Sequence, residues 1–90
     1  MKKLEEQIIL DEIEERAETY GYYLTMEEIV GEKYHEDRRI SEEISVAIEN
    51  LAKNIGISGG KISEIADRGF EEGIKAAKWD CKFTRYLKEE

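Results

Sequence analysis

The chain has 90 residues, of which 40% are hydrophobic and 40% charged, with 22 acidic against 14 basic side chains and a formal net charge of −8. That length holds one domain, because a second core rarely forms below ~100–150 residues per domain. No apolar run is longer than Ile8-Ile9-Leu10, which excludes a membrane span, and Lys2-Lys3 leads straight into Leu4-Glu5-Glu6-Gln7 rather than into the apolar centre of a signal peptide. The lone cysteine, Cys81, permits no internal disulfide and agrees with a cytoplasmic address. Proline is absent, which favours helix throughout.

Charge is unevenly spread. Residues 1–50 carry 15 acidic and six basic side chains, whereas residues 51–90 carry seven acidic and eight basic ones. The first half therefore repels nucleic acid on average and suits either a solvated helix face or contact with a basic partner.

In chain order, Leu4, Ile8 or Ile9, Ile13, Ala17 and Tyr20 recur at three- and four-residue spacing and predict a helix from about Lys3 to Tyr20, stopped at Gly21. A second, short helix is expected after Thr25 and Glu28, which have the spacing of a capping box, with Leu24 and Ile29 at the positions of a hydrophobic staple. A third helix is expected from a Ser41 cap to Gly56, with Ile44, Ile48, Leu51, Ala52 and Ile55 on one face. A fourth starts at a Ser58 cap and turns Ile62, Ile65, Ala66, Gly69, Phe70, Gly73, Ile74, Ala77 and Cys81 inward. Gly69, Gly73 and Ala77 strip one edge of that helix almost bare, which predicts either close backbone approach or a break near Gly69. Trp79, Phe83 and Leu87 form a second apolar stripe, with Trp79 turned about 180° from Phe70, so this extension needs another partner.

The expected architecture is a single all-α, four-helix domain with a short degenerate strand before the third helix as an option. It comprises an acidic helical segment over 1–39, a helical hairpin over 40–77 and a C-terminal extension over 78–90. Chemistry is sparse. Glu32 and His35 have the spacing of a carboxylate–histidine metal motif, but His35 is the only histidine. Cys81 sits on an apolar face and reads as an inert thiol. The Gly56–Lys61 stretch lacks the spacing of a phosphate-binding loop. Neither a catalytic site nor a cofactor or metal is expected.

Residues 40–73, ISEEISVAIENLAKNIGISGGKISEIADRGFEEG, resemble the helical half of ribbon-helix-helix DNA-binding proteins, and IENLAKNIGISGGKISEIAD also fits the general helix-turn-helix template. The matching positions are Ile44, Ile48, Leu51, Ala52, Ile55, Gly56, Ile57, Ser58, Ile62, Ile65, Ala66 and Phe70, without insertion. The preceding His35-Glu36-Asp37-Arg38-Arg39 has no apolar alternation to make a ribbon strand. The resemblance implies a dimeric DNA-binding regulator of the plasmid, phage or antitoxin kind. Arg38, Arg39, Ser58 and Lys61 would contact DNA, and the Gly59 and Gly60 amides would meet phosphate at a helix N-terminus. A rival expectation is an acidic protein-binding module, such as a phage-type inhibitor that mimics nucleic acid and blocks a basic protein surface on a host enzyme. A homodimer is expected through Trp79, Phe83 and Leu87, and no membrane contact.

Overall fold

A computed structural model describes the backbone of residues 2–89 and the side chains of residues 4–82. Three helices account for nearly all of it: α1 (Lys2–Val30), α2 (His35–Asn54) and α3 (Gly59–Glu89), with a single 3₁₀ turn at Glu32–Tyr34. The bundle is long and thin, 54 × 20 × 19 Å.

Two expectations about the first 40 residues are corrected. The first helix does not stop at Gly21, and Thr25 does not open a second one. Gly21 lies against the backbone of Phe70 on α3, where a Cβ would strike the Phe70 carbonyl oxygen. Glycine is there for close packing, so the helix runs on through it. Thr25, buried one turn later, donates its hydroxyl to the Gly21 carbonyl at 2.8 Å instead of capping a new start. The real stop is Gly31, whose φ of 117° and ψ of −162° lie in a region that side chains rarely enter. Four helices thus become three.

The start of the next helix also moves. Residues 35–39, the position of the optional strand, form the first turns of α2, and no strand occurs among the described residues. Ser41 is inside α2, not its cap. Its hydroxyl donates to the Asp37 and Arg38 carbonyls at 2.8 and 3.0 Å, which lets a buried serine face α1 with its polar atom satisfied.

The end of α2 follows the expected chemistry. Gly56 takes a φ of 94°, its N–H bonds the Lys53 carbonyl at 3.1 Å, and Ile57 N–H bonds the Ala52 carbonyl at 3.1 Å. These two bonds make a Schellman stop, and Ile57 packs with Ala52 across it. Ser58 then caps α3 by accepting the Lys61 N–H at 3.2 Å.

α1 is the spine. Pairs that join it to α3 rise together along both chains: Glu6 with Lys61, Glu14 with Arg68, Tyr22 with Asp80 and Met26 with Cys81. The two helices are therefore parallel, in one register for most of their length. Gly69 and Gly73 sit against the Glu14 and Glu18 carbonyls, so α3 stays unbroken and the bare edge serves close approach. α2 returns antiparallel on the other flank of α1, with Arg38 near Glu27 and Ala52 near Leu10 and Ile13.

The core is small: Leu10, Ile13, Ala52, Ile57 and Ile62, with Ile9, Ile48, Ile65 and Ala66 packed around it. α2 offers α1 its small side chains, Ser41, Ser45 and Ala52, and this leaves Ile44, Leu51 and Ile55 exposed where the apolar periodicity placed them inside. No helix among the described residues is long and apolar enough to cross a membrane.

Candidate functional site

The residues that the DNA-binding resemblance singles out do not form one patch. Arg38 and Arg39 lie near the start of α2, while Ser58, Gly59, Gly60 and Lys61 lie beyond its end. At 1.5 Å per residue those groups are about 25 Å apart along the bundle.

Each basic group also has a local carboxylate. Arg38 bonds Glu27 at 3.2 Å and Glu42 at 2.9 Å, Arg39 pairs with Glu36 and with Glu43 at 2.8 Å, and Lys61 reaches Glu6 at 3.2 Å. The hydrogen bond that Arg38 donates to Glu27 raises the guanidinium's affinity for its proton, and the one Arg39 donates to Glu36 does the same there. Partial burial pushes the Glu27 carboxyl up, but hydrogen bonds from His35 and Arg38 outweigh it and hold the carboxyl below its ordinary range. The Arg39 and Lys61 pairs are exposed, weak and exchangeable, whereas the Arg38–Glu27 pair is largely covered. Their effect here is to cancel positive potential where a phosphate would need it.

The N-terminus of α3 keeps open space beside Gly59 and Gly60. Trp79 is 69% exposed on α3. Phe83 and Leu87 lie outside the residues whose side chains are described.

A different feature emerges from the packing. α2 and α3 each lie on α1 but scarcely touch one another. Between them runs an open trough of about 330 Å³, floored by Ala17, Tyr20, Ala66 and Phe70 and walled by Val46. Tyr20 and Phe70 pack with ring centroids 5.5 Å apart, and Val46 is 49% exposed. Carboxylates stand along both walls: Glu42 and Glu49 on α2 and Asp67 on α3. Burial, and then the charge of Glu42, raise the Tyr20 phenol's pKa, so it stays neutral. An apolar floor under an acidic rim binds an amphipathic cation better than an anion.

By apolar periodicity Ile44, Leu51 and Ile55 belong to the core, and nothing in the sequence groups Tyr20, Val46, Glu49 and Asp67. The signal present in the sequence was the small-residue spacing Ser41, Ser45, Ala52. It marks the face of α2 that approaches α1 closely and displaces the larger side chains to either side.

Comparison with protein-family models, with curated proteins and with solved structures finds no match to the chain.

Proposed function

We propose that this chain is an acidic, non-catalytic protein-binding module whose α2–α3 trough takes a cationic amphipathic segment of a partner. The observation that carries this reading is the trough itself, an apolar floor with Glu49 and Asp67 on its rim and Glu42 shared with Arg38. The net charge of −8 adds long-range attraction for a basic surface. The thin core points the same way. Leu10, Ile13, Met26, Ile57 and Ile62 are the buried large apolar side chains, whereas ten others are exposed among the described residues. Of these, Val46 lines the trough.

The rival is a DNA-binding regulator that uses Arg38, Arg39 and the Ser58–Lys61 turn. The open N-terminus of α3 at Gly59 and Gly60 favours it.

Fluorescence anisotropy separates the two. The probes are a labelled helical peptide with leucines on one face and lysines on its flanks, the same peptide with glutamate flanks, and random duplex DNA. The acidic module binds the lysine peptide more tightly than the glutamate peptide, loses that preference in Glu49→Lys/Asp67→Lys, and ignores DNA at low salt. Micromolar DNA affinity that falls steeply with salt, together with no peptide preference, overturns the reading in favour of the regulator.

A further inference from the structure

We propose that the uncovered face of α2 is the interface of an antiparallel homodimer, with a second copy of this chain as its occupant. This face lies away from the α2–α3 trough and does not depend on what the trough binds.

Four large aliphatic side chains are open on that face: Ile40, Ile44, Leu51 and Ile55, exposed by 43, 39, 48 and 51%. At 100° per residue they fall within about 60° of arc. The seam that α2 packs on α1, Ser41, Ser45 and Ala52, is about 90° away by the same count. The side of α2 that faces α3 carries Glu42, Val46 and Glu49 and lies in the opposite direction. Side chains of α1 border the stripe at its ends, Arg16 and Tyr23 beside Ile40 and Ile44 and Glu5 and Glu6 beside Ile55, but leave it open to solvent.

The order of the stripe identifies the occupant. Its spacing of four, seven and four residues reads the same from either end. Reversing α2 about the point between Ala47 and Ile48 places Ile40 on Ile55 and Ile44 on Leu51. That is the condition for an isologous contact, in which residue i meets j while j meets i. Ala47, small and exposed, falls beside the two-fold axis and lets the backbones approach. A partner of unrelated sequence would need no such reversal symmetry.

The borders fit the same orientation. The outer border of the stripe holds Glu36 and Glu43, both paired with Arg39, in its first half and Asn50 and Asn54 in its second. An antiparallel two-fold lays this border on itself and brings Glu43 between Asn50 and Asn54 of the copy, whose amides can donate to it, whereas a parallel two-fold turns the border away from its equivalent. A 20-residue helix is ~30 Å long, and a face that is two helices wide, with Arg16 and Tyr23 of α1 beside Ile40 and Ile44, offers on the order of 600 Å² per protomer. Two such faces reach the lower end of stable interfaces, about 1,200 Å² in total.

Sedimentation equilibrium on the full chain tests the association, and cysteine cross-linking in a Cys81→Ser background tests its geometry. The wild type sediments at twice the 10.5 kDa chain mass. Ile44→Asp/Leu51→Asp, on an exposed face, keeps its helical circular dichroism and weakens self-association by at least ~100-fold, while Trp79→Ala changes nothing. Ala47→Cys cross-links to its own copy, Ile40→Cys does not, and Ile40→Cys mixed with Ile55→Cys does. A wild type that stays monomeric at several hundred micromolar overturns the proposal. So does a dimer that survives the two aspartates or depends on Trp79, and so does Ile40→Cys self-cross-linking as readily as Ala47→Cys.

Discussion

Gly73 of α3 lies so close to the Glu18 carbonyl of α1 that a Cβ at residue 73 would collide with the oxygen. Gly69 stands in the same relation to Glu14, one turn earlier. An alanine in a helix interior is normally worth ~0.5–1 kcal/mol over glycine. Here the sign reverses, because the obstacle is backbone in a neighbouring helix and cannot rotate away. Gly69→Ala and Gly73→Ala should each lose ~1–3 kcal/mol in urea unfolding. Gly60→Ala, with nothing within 4 Å, should be neutral or slightly stabilising. Equal stability for all three would mean that α1 and α3 do not approach this closely.

The two turns carry a separate prediction. Gly31 and Gly56 have φ of 117° and 94° and open space around them, so a substitution there strains the backbone without meeting a steric clash. Gly56→Val should cost more than the ~1 kcal/mol of an ordinary helix-propensity change, and Gly31→Ala ~1–3 kcal/mol. Calorimetric melting of either at the wild-type temperature would place the helix ends elsewhere.

What was legible in the sequence follows from range. Ser58, Gly56 and Ile57 act through bonds spanning a few residues, and their roles as cap and stop are readable from residue type alone. Gly21 carries the residue type of a stop, but its purpose is a contact with Phe70, 49 positions away, which no local rule registers. The Thr25–Glu28 and Ser41 signals are real capping patterns, yet both positions are buried against neighbouring helices, where tertiary packing overrides them. The trough depends on α2 and α3 failing to meet, a property of how both helices sit on α1. Apolar periodicity reports that a face is hydrophobic but not which neighbour covers it, so Ile44, Leu51 and Ile55 looked like core.

Acid should weaken the fold through Glu27 and Glu36, whose carboxyls are held low, Glu27 by His35 and Arg38 against partial burial and Glu36 by Arg39. A depressed carboxyl binds its proton less readily when folded. Its stabilisation is complete above the ordinary value of 4.5 and drains away as the pH falls through the folded value. The melting temperature should therefore drop below about pH 4.5, and the drop should be shallower in Glu27→Gln. A Glu27→Gln acid limb that coincides with the wild type would remove this cluster from the account.

Alkali should act through Tyr22, which donates to Asp80 at 2.6 Å and whose phenol that bond raises to about 12. A raised phenol gives stability that is present below its unfolded value of 10.0 and is lost as the pH climbs through the folded one. Ultraviolet titration should show Tyr20 and Tyr22 ionising late, and Asp80→Asn should return only Tyr22 towards the ordinary range. An unchanged titration in that variant would mean that the α1–α3 bond does not persist in solution.

Lys61 gives the sharpest division between the two functional readings. Its ammonium lies 3.2 Å from Glu6 with both side chains substantially exposed, so the pair contributes at most ~1 kcal/mol and can be removed without unfolding the chain. In a DNA-binding regulator, Lys61 and the free amides at the start of α3 hold a phosphate. Lys61→Glu would then weaken binding to every duplex sequence alike and reduce the salt slope. In an acidic module, the same change adds negative charge about 9 Å along α3 from Asp67 on the rim and leaves lysine-peptide affinity unchanged or slightly improved. Glu6→Gln provides the counterpart: it frees the ammonium, which should strengthen DNA binding in the first case and slightly slow peptide association in the second. Of the four measurements at low salt, the two with DNA move in opposite directions under the first reading, and only the two with peptide can move under the second. DNA affinity that falls with Lys61→Glu and rises with Glu6→Gln would displace the protein-binding reading.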